Sequence, residues 1–224
     1  MTNKHLIAAG LFGLFSATAQ AQDLTVTLTN LTHSIYFTPV VAGAHDASTE
    51  IFETTTPATP ELELLAEEGD FSGVSGLLGN AGADVIDNPA GGLLASGEST
   101  TFLLSNSSGN DYLSVAAMML PTNDAFIGLD SWEIPSEAGT YTVYLNAYDA
   151  GTEANDELAD SIPAFPGGDA GTGGAGVTTE ISTPNVHIHP GVIGDADAEG
   201  GISDLDSSVH RWLNPVAKLT VVVE

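Results

Sequence analysis

An antiparallel β-sandwich with long acidic loops and one short helix is the fold this sequence predicts, and three observations predict it. Several segments alternate apolar and polar residues with a period of two. One nine-residue run is apolar almost throughout. Gly- and Asn-rich turns separate these segments, with only one convincing helix among them.

The elements follow in chain order. Leu24–Leu31 alternates strictly, with Leu24, Val26 and Leu28 on one face and threonines on the other, the pattern of a half-buried strand. Residues 35–44 are rich in β-formers but carry Pro39, which removes a ladder donor; an edge strand or a strand broken at a bulge is expected. Residues 45–58 read as a polar loop. Pro60–Glu68 is the short helix: proline near its start, early acids, Leu62, Leu65 and Ala66 on one face, and Gly69 as the stop. Residues 72–97 read mostly as loop, because glycine and asparagine dominate them.

Ser99–Leu104 reads as a strand, and Tyr112–Leu120 as a central strand buried on both faces. Pro121–Asp124 is a turn. The strand Tyr141–Tyr148 alternates until Asp149, where Ala150 and Gly151 permit a tight turn and Glu153 follows. Residues 154–176 form a long acidic loop, residues 195–208 another, and Val216–Val223 a closing strand. No internal repeat or low-complexity linker divides the chain, so residues 22–224 read as one domain.

Residues 1–21 read as a secretory signal, with Lys4, the apolar Leu6–Phe15 and a small-x-small site at Ala19-Gln20-Ala21. That apolar run is too short to span a bilayer, and no later run approaches the roughly 18 residues required. A secreted or periplasmic protein without membrane insertion is therefore expected. The chain carries 30 acidic and 3 basic residues, a net charge of −27. With Lys4 removed in the leader, Arg211 and Lys218 remain against the 30 acids, giving −28. Such a charge argues against nucleic acid or an anionic membrane as partner. With no cysteine in the chain, disulfides are impossible, and a large core or metal ions must hold the domain.

Three groups of residues bear on chemistry. Asp149 and Glu153 share one turn, where two carboxylates repel unless a cation lies between them; with almost no Lys or Arg available, a hard metal ion is the natural candidate and a solvated acidic loop the plain alternative. Asp124 joins them only if the strands leading to the two turns run the same way, as across the two sheets of a Greek key. Asp195, Asp197, Glu199 and Asp206 occupy positions 1, 3, 5 and 12 of a stretch resembling an EF-hand calcium loop, with Gly200 at position 6; no helices flank it and position 12 is Asp where Glu is usual, so a plain acidic surface loop is the favoured reading. His187 and His189 form a His-x-His pair, a common beginning of a transition-metal site; the plain alternative has Val186 and Ile188 facing the core and the histidines facing out. No nucleophile elbow, catalytic cysteine or phosphate-binding loop is present.

Two blocks carry a family resemblance. SVAAMMLPTNDAFIG (114–128) and YLNAYDAGTE (144–153) resemble the spondin N-terminal domain, known from F-spondin, mindin and exported bacterial proteins. Met119, Pro121, Asp124, Phe126 and Gly128 match the first block of that family; Asp149, Ala150, Gly151 and Thr152 match the second. The helix before Gly69 and the closing strand extend the resemblance over most of residues 23–224. It implies a β-sandwich in which three acids from these loops, here Asp124, Asp149 and Glu153, hold calcium. Glu153 stands where the family has Asp, Asn123 where it has a second Pro, and Ala125 where it has Trp. The cysteines of the animal members and their thrombospondin-type repeats are missing. The resulting expectation is an exported, non-catalytic, calcium-binding module for adhesion or for an extracellular protein or glycan ligand. The alternatives are a secreted metal-dependent enzyme using His187 and His189, or a matrix protein that sequesters calcium.

Overall fold

The structure is a computed structural model that describes residues 22–163, 176–177, 181–197 and 200–224. The expected leader, residues 1–21, and Glu199 lie outside the described residues.

Ten strands and two helices follow one another as β1 (Gln22–Asn30), β2 (Tyr36–Phe37), β3 (Val41–His45), α1 (Pro60–Glu68), α2 (Ser72–Asn80), β4 (Asp84–Asp87), β5 (Ser99–Asn106), β6 (Tyr112–Leu120), β7 (Ala125–Glu133), β8 (Gly139–Asp149), β9 (His187–Ile188) and β10 (Ala217–Val223). The main path of hydrogen-bonded strands is β4-β3-β6-β7-β8-β10-β1-β5, with β2 also on β6 and β9 on β8. The pairings between these strands are antiparallel, as expected for a β-sandwich.

β8 joins the two layers. Its first part, Gly139–Leu145, pairs with β10; its last part, Asn146–Asp149, pairs with β7. The sheet folds over at this strand, and the two inner faces meet in one core. Leu24, Val26 and Leu28 of β1 and Leu219 and Val221 of β10 pack in the same cluster as Ala42 of β3 and Leu113, Val115 and Ala117 of β6. Leu24, Val26 and Leu28 are fully buried while Thr25, Thr27 and Thr29 are not, so the alternation in β1 does what the period of two requires. On the outer face, Thr27 and Thr29 hydrogen-bond across to Thr101 and Ser99 at 2.9 and 2.8 Å.

β6 is buried on both faces because a third layer covers the sheet. Ala116 of β6, Val41 of β3 and Phe126 of β7 form a second cluster with Leu62, Leu65, Val74 and Leu78 of the helices and with Ile51 and Phe52 of the loop before them. Phe52 stacks edge-on against Phe126 at 5.1 Å. Gly128 makes room for it: a Cβ there would meet the Phe52 ring at 2.6 Å.

Two expectations need correction. Residues 36–45 are broken at Pro39 into β2 and β3, but β3 lies between β4 and β6 and is no edge strand. Residues 72–97, expected mostly as loop, contain α2 and β4, so the described residues hold two α-helices rather than one. Helix propensity in SGVSGLLGN is poor, yet Val74 and Leu78 are buried one turn apart. Tertiary packing supplies what propensity lacks. Gly73 lets the two helices approach closely, since its Cβ would lie 3.1 Å from Cβ of Glu61 on α1.

α1 is built as its sequence signals. The Thr59 hydroxyl accepts the Leu62 N–H, Pro60 occupies the first turn, and Gly69 ends the helix at φ 69° with its N–H donated to the Leu65 carbonyl at 3.0 Å. Among the described residues, no helix is long and apolar enough to cross a membrane.

Candidate functional site

Asp124 immediately precedes β7, and Asp149 ends β8. Because β7 and β8 are antiparallel neighbours, with Ala125 opposite Asp149, these two acids emerge at the same end of the sheet. The strands that precede the two turns, β6 and β8, both pair antiparallel with β7 and so run the same way. The condition set by the sequence is met, but within one three-strand meander and not across two sheets.

The turn after β8 is folded around Asp124. Its Oδ2 accepts the backbone N–H of Thr152 at 2.9 Å and of Glu153 at 3.2 Å, while its carbonyl accepts the Ala150 N–H. Asp149 Oδ1 accepts the Gly151 N–H at 2.8 Å, and Oδ2 accepts from the Asn155 side chain at 2.6 Å. Gly151 has φ 72°, and a Cβ on it would lie 2.6 Å from the Asn185 nitrogen. No other residue fits so close an approach at that angle.

All three acids are buried: Asp124 is 0%, Asp149 2% and Glu153 5% exposed. Two of their oxygens, Asp124 Oδ1 and Glu153 Oε2, are buried without a hydrogen-bond partner. An unpaired buried carboxylate oxygen is costly. The cost appears as affinity for protons. Burial, with Asp149 adding repulsion, pushes Asp124 up to about 6. Burial, then Glu67 and Asp124, push Glu153 up to about 8. Glu67, in the last turn of α1, stands against Thr152 and Glu153, and burial raises its carboxyl as well.

The donor set is oxygen, anionic and desolvated, which suits a hard divalent cation. Among the described residues, no three His, Cys, Asp or Glu side chains are already gathered closely enough to hold a metal. An ion here would have to draw the carboxylates together against the repulsion that it relieves.

A polar cleft of ≈ 340 Å³ opens over Asp149 and Glu153, with Asn155, Asp156, Thr183 and His187 among its walls. His187 Nε2 lies 3.7 Å from Asp149 Oδ2, and its Nδ1 lies 2.9 Å from the Asn185 carbonyl. His189 is 5% exposed and fully engaged: Nδ1 accepts the Gly191 N–H at 2.9 Å, which leaves Nε2 as donor to Asn155 Oδ1 at 3.2 Å. Burial pushes His189 down to about 4, so it is neutral at pH 7. Ile188, expected to face the core, is 48% exposed, and His189 takes the inward position.

The two ends of the acidic stretch, Asp195 and Asp206, meet. Asp195 pairs with Asp206 in an isolated bridge, and its carboxylate accepts the N–H groups of Asp197, Ile202 and Ser203. Asp206 Oδ1 accepts from Ser208 N and Oγ. Asp195 and Asp206 thus serve as caps of backbone groups in this structure.

Sequence reasoning missed three residues of this region. Glu67 reads from sequence only as part of a helix, and no spacing rule links it to a turn so far along the chain. Asn123 is 1% exposed, accepts the Glu157 N–H and donates to Asp156 Oδ1 at 3.0 Å, tying the turn before β7 to the loop after β8. Glu157 is buried and accepts from Ile193 N, Gly194 N and Ser203 Oγ, which anchors those three residues.

The sequence model of the Spondin_N family matches residues 22–163. The match contains Glu67, Asp124, Asp149 and Glu153, and it ends before β9 and β10, short of the extent the resemblance had suggested. No curated protein matches the chain.

Proposed function

Since the chain belongs to the spondin N-terminal family, we propose that it is an exported, calcium-binding β-sandwich module that works by adhesion or ligand binding and not by catalysis. The observation that carries this reading is the pair of buried, unpartnered oxygens, Asp124 Oδ1 and Glu153 Oε2, in a chain with almost no cations to offset them. Calcium would supply the missing positive charge, and Asp124, Asp149 and Glu153 would hold it. Glu153 is one methylene longer than the Asp it replaces and still has the reach to bind. The apolar, cleavable-looking first 21 residues and the absence of cysteine support export and a metal ion, not disulfides, as the staple.

The test is thermal unfolding of residues 22–224 in EDTA and in excess calcium, for the wild type and Asp149→Asn. Wild type should gain several degrees with calcium, because an ion that binds only the folded state stabilises it by mass action. The variant should gain little. A wild type indifferent to calcium overturns the reading.

A further inference from the structure

We propose that the cleft over Asp149 and Glu153 is a calcium-dependent subsite for a neutral sugar, engaged through two adjacent hydroxyl groups. The inference rests on the calcium reading above and names the class of ligand that site would take.

Position comes first. Glu153 lines the cleft and also carries one of the two unpartnered buried oxygens. An ion held by Glu153 and Asp149 therefore sits in the cleft wall. At ≈ 340 Å³ the cleft lies at the lower end of small-molecule sites, which run roughly 300–1,000 Å³.

Coordination comes next. Calcium takes about six to eight oxygens. Asp124 Oδ2 and both Asp149 oxygens already accept N–H groups, which limits how many contacts three carboxylates supply. Positions are left for outside oxygens, which would reach the ion from the cleft that Asp149 and Glu153 line.

Charge then selects the ligand. Three carboxylates against one divalent ion leave a net negative site, and Glu67 and Asp156 stand close by. The whole protein carries −27. A carboxylate, sulfate or phosphate ligand would meet a repulsive field. A neutral diol escapes it: both oxygens face the ion, and both O–H hydrogens find carboxylate acceptors around it. Thr183 and Asn155 offer further polar contacts, while Ile181 and Pro190 give the C–H face of a sugar ring an apolar wall.

Saturation-transfer NMR on residues 22–224, in calcium and in EDTA, tests the proposal. The probes are methyl α-mannopyranoside and methyl α-galactopyranoside, which present the two common 3,4-diol geometries, with N-acetylglutamate as the anionic oxygen donor. At least one glycoside should bind in calcium, and that binding should vanish in EDTA. N-acetylglutamate should not bind. Thr183→Tyr, at an exposed position on the cleft wall, should weaken the glycoside at least tenfold while leaving the calcium-induced thermal shift intact. A calcium shift without glycoside binding overturns this proposal alone, as does binding of N-acetylglutamate in its place or glycoside binding indifferent to Thr183→Tyr. Absence of any calcium shift overturns the calcium reading and this proposal together.

Discussion

At the scale of single residues, Asp124 and Glu153 set a pH dependence whose sign runs opposite to that of ordinary salt-bridged acids. Both are held above their usual range in the folded protein, at about 6 and about 8. A raised carboxyl favours the folded state while it is protonated. That contribution is complete below pH 4 and is lost as pH rises through 6 and 8. For Asp124, a rise from 3.8 to about 6 corresponds to roughly 3 kcal/mol. In EDTA, the unfolding temperature should therefore fall between pH 5 and pH 8.5, and Glu153→Gln should flatten the fall at its upper end. Calcium replaces the proton as the neutralising partner, so the gap between calcium and EDTA should widen over the same range. Melting curves at four or five pH values, with and without EDTA, check both statements; a gap that narrows with pH contradicts them. The acids themselves were legible in the sequence, since Asp149 and Glu153 share one turn. The unpaired state of their oxygens was not, because it depends on which N–H groups the folded turn offers to Asp124. Nor was the role of Asp195: its spacing reads as a solvated acidic loop or an EF-hand-like ligand set, and neither reading foresees three backbone N–H groups donating to its carboxylate.

At the scale of elements, α2 separates what local sequence specifies from what packing specifies. β6 was legible from Tyr112 to Leu120 because a nine-residue run interrupted only by Ser114 leaves few alternatives to a strand covered on both faces. β1 and β10 were legible because alternation has a single structural meaning. α2 was not: its three interior glycines read as loop, and only the neighbouring α1 and Gly43 explain them. The Cβ that Gly43 lacks would lie 3.0 Å from Leu78. The glycines of α2 are not equivalent, however. Gly73 faces α1 at close range, whereas Gly76 and Gly79 have open space where a Cβ would go. Gly76→Ala and Gly79→Ala should each stabilise the protein by roughly 0.5–1 kcal/mol, through helix propensity and a less flexible unfolded chain. Gly73→Ala should instead destabilise it by about 1 kcal/mol or more, because Glu61 and its backbone must give way. Urea titration of the three variants decides the matter: the same sign for all three would mean that the α1–α2 contact does not constrain Gly73. β8 carries the other lesson of this scale. Its alternation revealed a strand, but nothing in it revealed that one end pairs with β10 and the other with β7. That division brings Asp149 beside Asp124.

At the scale of the whole molecule, the charge of −27 and the local site must be told apart, because both make the protein more stable in added salt. Diffuse repulsion among 30 carboxylates is relieved by screening, with a Debye length that falls from about 10 Å at 0.1 M to 3 Å at 1 M. Screening does not depend on any one carboxylate and does not saturate at low concentration. A site does both. It saturates once calcium exceeds the dissociation constant, and further gain grows only logarithmically. Sodium chloride in EDTA should therefore raise the unfolding temperature of wild type and Asp149→Asn alike, by several degrees between 0.1 and 1 M. Calcium added at 1 M sodium chloride should still raise the wild type. The variant should gain little, because screening has already removed what diffuse binding would contribute. A domain of this size shifts by roughly 2–4 °C per kcal/mol, so a site of even modest affinity is visible. If high sodium chloride abolishes the calcium response of the wild type, the response belongs to the acidic surface as a whole. If the response survives, it belongs to the turn around Asp124, where burial keeps the charges beyond the reach of screening.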